Sequence, residues 1–149
     1  MTYRIIQIFI VSFLIVSASG EESRGECGSG SGSAKVDDSN RKFSVIVPKS
    51  SGLGGEQAYN DIGCAVANRN GECAMRQSMF DGAAVAYDYV TGAEIPAEKA
   101  FFVLKTDVKT PQGYGIVAFK DKAEAEKFQT ARGKGKIVKW FELVDEPLK

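Results

Sequence analysis

The chain contains no histidine, and its 149 residues include only three methionines, three cysteines, four prolines and one tryptophan. Without imidazole there is no Ser-His or Cys-His nucleophile pair, no ordinary general base near neutrality, and no commonest zinc ligand. A surplus of either charge is also lacking, since 19 Lys and Arg stand against 19 Asp and Glu. With no basic excess to neutralise phosphates, nucleic acid is not an expected partner. No Gly-x-Ser-x-Gly elbow, P-loop or dinucleotide glycine pattern occurs in context. Catalysis by paired carboxylates is the one enzymatic chemistry left, with Asp61, Asp81, Asp88 and Glu94 available. Those acids read better as a helix cap, turn residues and a solvated strand face. The chain is not expected to be an enzyme.

What is present is a composition of 44% hydrophobic and 26% charged residues, ordinary for one folded domain or two small sub-domains packed together. Residues 1–20 read as a secretory signal. Arg4 supplies the positive end, Ile5 to Val16 is apolar except for Gln7 and Ser12, and the small residues Ser17-Ala18-Ser19-Gly20 follow. The apolar run is short for a membrane span, so cleavage and export to a secreted or periplasmic location are expected, with an uncleaved N-terminal anchor as the alternative. Removing this segment takes away Arg4 and no acid, leaving a net charge of −1. Residues 21–42, with their Gly-Ser repeat, read as a flexible linker. Cys27 ahead of a Gly/Ser spacer resembles a lipoprotein start, which would tether the N-terminus to a membrane. Yet Arg24-Gly25-Glu26 is not the apolar and small triplet that lipid attachment requires.

The folded part is expected from Phe43. Phe43 to Val47 is β-rich and ends at Pro48, which predicts a strand. Ala58 to Asn68 predicts a helix capped by Asp61, and Ala83 to Val90 alternates as a strand before a Thr91-Gly92 turn. The plan then repeats: Ala100 to Leu104 and Gly115 to Phe119 as strands, and a helix from Asp121 to Arg132 closed by Gly133. Ile137 to Val144 reads as a last strand. Tyr59-Asn60-Asp61 and Phe119-Lys120-Asp121 open the two helices alike. The expected class is therefore α+β, with two small ββαβ-like units, 43–92 and 93–149, packed as one compact exported domain.

Three segments together resemble the nitrous oxide reductase accessory proteins of the NosL type. They are Asp61-Ile62-Gly63-Cys64, the run from Tyr87 through Asp88-Tyr89-Val90-Thr91-Gly92 to Ala97, Ala100 and Val103, and the glycine loop Pro111-Gln112-Gly113-Tyr114-Gly115. The resemblance spans roughly residues 43 to 144 and implies a pair of ββαβ units. It also implies an exported protein that delivers copper to an extracytoplasmic enzyme or its assembly machinery. Where the family commonly carries a methionine in the glycine loop and a histidine shortly after, this chain has Gln112 and Tyr114. The Cys-Gly-Met segment near many members' mature N-terminus is absent too.

The soft donors lie elsewhere. Cys64 sits in the first expected helix, and the loop after it carries Cys73, Met75 and Met79. Thiolate and thioether sulfur favour Cu(I), so Cys73 and Met75 are the first candidate ligands, with Cys64, Met79 and Cys27 as supplements. Cys64 and Cys73 are equally able to close a disulfide in an oxidising compartment, worth about 2–3 kcal/mol. Inert buried thiols are a third option, and the methionines have an alternative as core filler. Two functions follow: Cu(I) binding and delivery, or a metal-free protein-binding module of the same fold. In the second, Tyr87, Tyr89, Tyr114 and Trp140 would line an apolar docking surface.

Overall fold

The computed structural model describes residues 35–48, 55–69 and 84–148. The expected signal segment, most of the expected linker with Cys27, and the 70–83 connection with Cys73, Met75 and Met79 lie outside them. Among the described residues no helix is long and apolar enough to cross a membrane.

Strand β1, Val45–Pro48, follows a single 3-10 turn at Arg41–Phe43 and pairs antiparallel with β2, Glu56–Tyr59. Helix α1, Ile62–Arg69, leads to β3, Val85–Tyr87, which pairs with β1 on its other side and with β4, Glu94–Pro96. The second unit runs β5 (Phe101–Leu104), β6 (Val117–Phe119), α2 (Lys122–Arg132) and β7 (Lys136–Val138), and α3 (Trp140–Asp145) closes the chain. Strand orders are β2-β1-β3-β4 and β6-β5-β7. In each unit the first strand is central, the second flanks one side, and the strand after the helix flanks the other. The register repeats as well, with Val45 opposite Tyr59 and Phe101 opposite Phe119. The architecture is α+β, two small antiparallel sheets with three helices among the described residues.

Four local expectations change. Ala58 and Tyr59 belong to β2 rather than to a helix, because the chain first completes the hairpin with β1 and turns only at Asp61. Glu94–Pro96 forms a short strand that the sequence did not suggest. The expected strand from Ile137 to Val144 stops at Val138 and continues as α3. Trp140 and Leu143, three apart, share one buried helical face, while Phe141 between them is exposed. The Glu142 carboxylate accepts from the Lys139 N–H at 2.7 Å, filling a donor that the helix start leaves open. Residues 37–40, within the segment expected as linker, form a hydrogen-bonded turn leading into the 3-10 turn.

Side chains alternate across β5 and β6, so both faces of the second sheet are covered. Phe102, Leu104, Ile116 and Ala118 join Val45, Val47, Ile62, Val66, Trp140 and Leu143 in the larger core. Phe102 and Trp140 meet there with ring centroids 5.4 Å apart. Val103, Val117 and Phe119 face the other way, onto Ala125 and Phe128 of α2. Covering on both sides explains why these strands read as continuous apolar runs rather than alternating ones.

The two sheets are stitched together by Asp88. It forms a parallel bridge with Ala118 of β6, and Tyr89 N–H donates to the Ala118 carbonyl at 2.8 Å. The Asp88 carboxylate accepts from Lys120 N–H at 3.0 Å, and from the Thr91 hydroxyl and N–H at 2.7 and 2.9 Å. Burial acts to raise its pKa, but these hydrogen bonds outweigh it and leave the group below the ordinary carboxylate value. A folded-state pKa below the unfolded one, about 3.9, stabilises the fold fully above that value. The contribution is lost as pH falls through the lowered pKa. Asp88→Asn should therefore weaken the fold at neutral pH and flatten the acid limb of a stability-versus-pH curve measured by urea unfolding. An acid limb as steep as in the unsubstituted chain would show that Asp88 does not carry it.

Candidate functional site

Asp61 stands where β2 ends, and it is fully buried. One carboxylate oxygen accepts from Gly63 N–H at 2.9 Å, capping the start of α1. The other accepts from the Thr110 hydroxyl at 2.6 Å and from Gln112 N–H at 2.9 Å, both in the β5–β6 loop. A single carboxylate thus joins the helix of the first unit to the loop of the second. Asp121, its counterpart in the second unit, makes no side-chain cap hydrogen bond, although Asp121-Lys122-Ala123-Glu124 reads as a capping-box-like start. The resemblance between the two helix starts hides a difference in what their aspartates do.

The loop is shaped around that anchor. Thr110 Oγ1 accepts from Gly115 N–H at 3.1 Å, and the Thr106 hydroxyl donates to the Gly115 carbonyl at 2.7 Å. Gly115 has φ +63°, and a Cβ there would stand 2.8 Å from the Thr106 carbonyl oxygen. Gly63 is needed for a different reason. A Cβ on it would fall 2.0 Å from Cγ of Tyr114, so only glycine lets the ring lie against the first turn of α1. Asp61, Gly63, Gln112, Tyr114 and Gly115 therefore form one packed unit, although some fifty residues separate its two parts. The side-chain oxygen of Gln112 is buried there without a hydrogen-bond donor among the described residues.

Cys64 follows Gly63, is 3% exposed, and is disulfide-bonded. Its partner lies outside the described residues. In this oxidised state its sulfur is no thiolate, and it would serve as a metal ligand only after reduction. Cys73, Met75, Met79 and Cys27 are outside the described residues, so the structure brings none of them to a stated place. Among the described residues no three of Cys, Asp and Glu converge on one point. The Gln112 amide oxygen is a hard donor, and the carboxylate oxygens of Asp61 are taken up by hydrogen bonds. The described residues do not by themselves make a soft-ion site. Of the four aromatic residues that the protein-binding alternative would place on a docking surface, Trp140 and Tyr87 take the core position that residues of their type more often occupy, at 1% and 6% exposure.

The sequence profile of the NosL family matches residues 69–148, more than half of the chain. This chain belongs to the NosL family. It is accordingly a NosL-like accessory protein, from a family of accessory proteins rather than enzymes. The match takes in β3 to α3, with the Asp88 bridge and the glycine loop. Asp61, Gly63 and Cys64 precede it in sequence and reach it through the hydrogen bonds and packing just described. No curated protein and no solved structure matches the chain significantly.

Two outcomes are expected. Asp61→Ala strands Thr110 Oγ1 and two backbone N–H groups, and should cost about 3 kcal/mol in urea unfolding. Gly63→Ala should cost about 2 kcal/mol, because Tyr114 has to move. A change within about 0.5 kcal/mol for both would mean that the loop is held by something else. Separately, a disulfide at Cys64 consumes two of the chain's three cysteines. Thiol titration of the unfolded, unreduced chain should give one thiol, rising to three after reduction.

Proposed function

We propose that this chain binds Cu(I) through sulfur and passes it to an extracytoplasmic copper enzyme or to its assembly machinery. Membership of the NosL family carries this reading and suggests nitrous oxide reductase as the enzyme served. The chemistry that supports it is the run Cys73-x-Met75, with Met79 four residues on, placed in sequence between α1 and β3. With the Cys64 disulfide reduced, which frees Cys64 and its partner cysteine, these three residues offer one thiolate and two thioethers to a soft cation. Cys27 and Cys64 are then supplementary donors. Passage by ligand exchange replaces one sulfur by another and needs no general base, so a chain without histidine is equipped for it. Export by residues 1–20, with or without a membrane tether at the N-terminus, would put the protein beside such an enzyme.

A second reading has its own observation. Gln112 stands where the family commonly carries a methionine, and the sulfur of Cys64 is held in a disulfide. A chain that keeps the frame without the ion would act as a metal-free protein-binding module.

Anaerobic titration of the fully reduced chain with Cu(I) against a competing chelator separates the two. Delivery requires one Cu(I) per chain, with affinity lowered at least about tenfold, roughly 1.4 kcal/mol, by Cys73→Ser and by Met75→Leu. Binding no tighter than that of an unrelated reduced protein leaves the module reading.

A further inference from the structure

An open groove of about 320 Å³ lies between the 3-10 turn and the β3–β4 turn, lined by Asp38, Arg41, Lys42, Tyr89, Val90, Thr91 and Gly92. Three features of it point to a ligand rather than to a casual crease. The turn that makes one wall is fixed from behind. Asp88 accepts from the Thr91 hydroxyl and N–H, its carbonyl accepts from Gly92 N–H at 2.7 Å, and its other carboxylate oxygen is held by Lys120 N–H. On this fixed turn Val90 is held outward, 63% exposed, among neighbours that are mostly polar.

The opposite wall is cationic. The Lys42 ammonium stands 5.2 Å from the ring centroids of both Phe43 and Tyr89, so its position is set by cation–π attraction. Arg41 is paired at 2.8 Å with Asp38, whose side chain is 92% exposed. An ion pair so open to water contributes little to stability and is easily exchanged. Asp38 thus marks where another carboxylate would sit on Arg41.

We propose that this groove docks an acidic segment of a partner protein. A carboxylate takes the place of Asp38 on the Arg41 guanidinium, a second pairs with Lys42, and an aliphatic side chain of the same segment covers Val90 on the other wall. Acidic and aliphatic residues in alternation meet these demands, because they turn carboxylates to the cationic wall and an apolar side chain to the wall that carries Val90. None of the lining residues is a cysteine or methionine, and docking of this kind does not depend on copper being bound.

The test uses the full chain, labelled with ¹⁵N, and a synthetic eight-residue peptide of alternating Glu and Leu. Amide shifts should change at Arg41, Lys42 and Phe43 and at Val90 to Ala93. A Gln-Leu peptide should leave them in place. Arg41→Glu with Lys42→Glu should weaken the Glu-Leu peptide at least about tenfold, and Val90→Ser should weaken it without altering its salt dependence. Equal shifts with the Gln-Leu peptide, or binding unmoved by the double charge reversal, would overturn the proposal. So would the same shifts appearing on replacement of Glu21, Glu22 and Glu26 by Gln with no peptide added. That result would make the chain's own acidic stretch the occupant.

Discussion

The rest of the fold leans on one buried carboxylate. Asp61 caps α1 with one oxygen and fastens the β5–β6 loop with the other, so the first unit's helix and the second unit's loop take their positions from the same atoms. A desolvated carboxylate is tolerable only when its lone pairs are filled, and three donors fill them here. The arrangement dictates its neighbours. Two of the donors are backbone N–H groups, which fixes the conformation at Gly63 and Gln112. The third is a threonine hydroxyl that in turn orders Gly115. Glycine at 63 then follows from the ring of Tyr114 lying across the helix start.

Asp88 repeats the device at the other junction. Both aspartates come from the first unit, and both accept backbone N–H groups of the second, Gln112 for one and Lys120 for the other. The two small sheets are therefore not merely pressed together by apolar burial. Directional hydrogen bonds set their relative position, while the shared core of Val45, Ile62, Phe102, Ile116 and Trp140 supplies the bulk of the driving force.

Strand, helix and strand in the first unit, and strand, strand, helix and strand in the second, were legible from periodicity, and the family was legible from its three segments; the first unit's second strand, β2, was hidden in what read as a loop and a helix start. Less legible was anything that depends on distant parts meeting. Asp61 reads as a cap from its neighbours, and it is one, but its bonds to Thr110 and Gln112 join residues about fifty positions apart. Local pattern also misled at the C-terminus. Trp140, Phe141 and Val144 favour strands, yet the i, i+3 pair Trp140 and Leu143 had a core to fill and Glu142 could cap the turn. Cys73, Met75 and Met79 fall by sequence in the connection between α1 and β3, outside the described residues.

The chemistry of the frame bears on what kind of ion the protein could handle. Hard cations are held by clustered carboxylates with free lone pairs. Here Asp61 and Asp88 spend theirs on N–H and O–H donors, and Asp107 is committed to Arg132 and Lys134. Imidazole, the borderline donor, is absent from the chain. These three carboxylates are occupied with hydrogen bonds and ion pairs, and so they compete poorly for a metal. That leaves thiol and thioether groups as the side chains suited to a soft cation. Cys73, Met75 and Met79 fall within seven residues of one another in the sequence, whereas Asp61 and Asp88 tie the two units to each other. In the proposed delivery role an ion would pass from sulfur to sulfur, and that exchange would ask nothing of the two carboxylates that hold the units together.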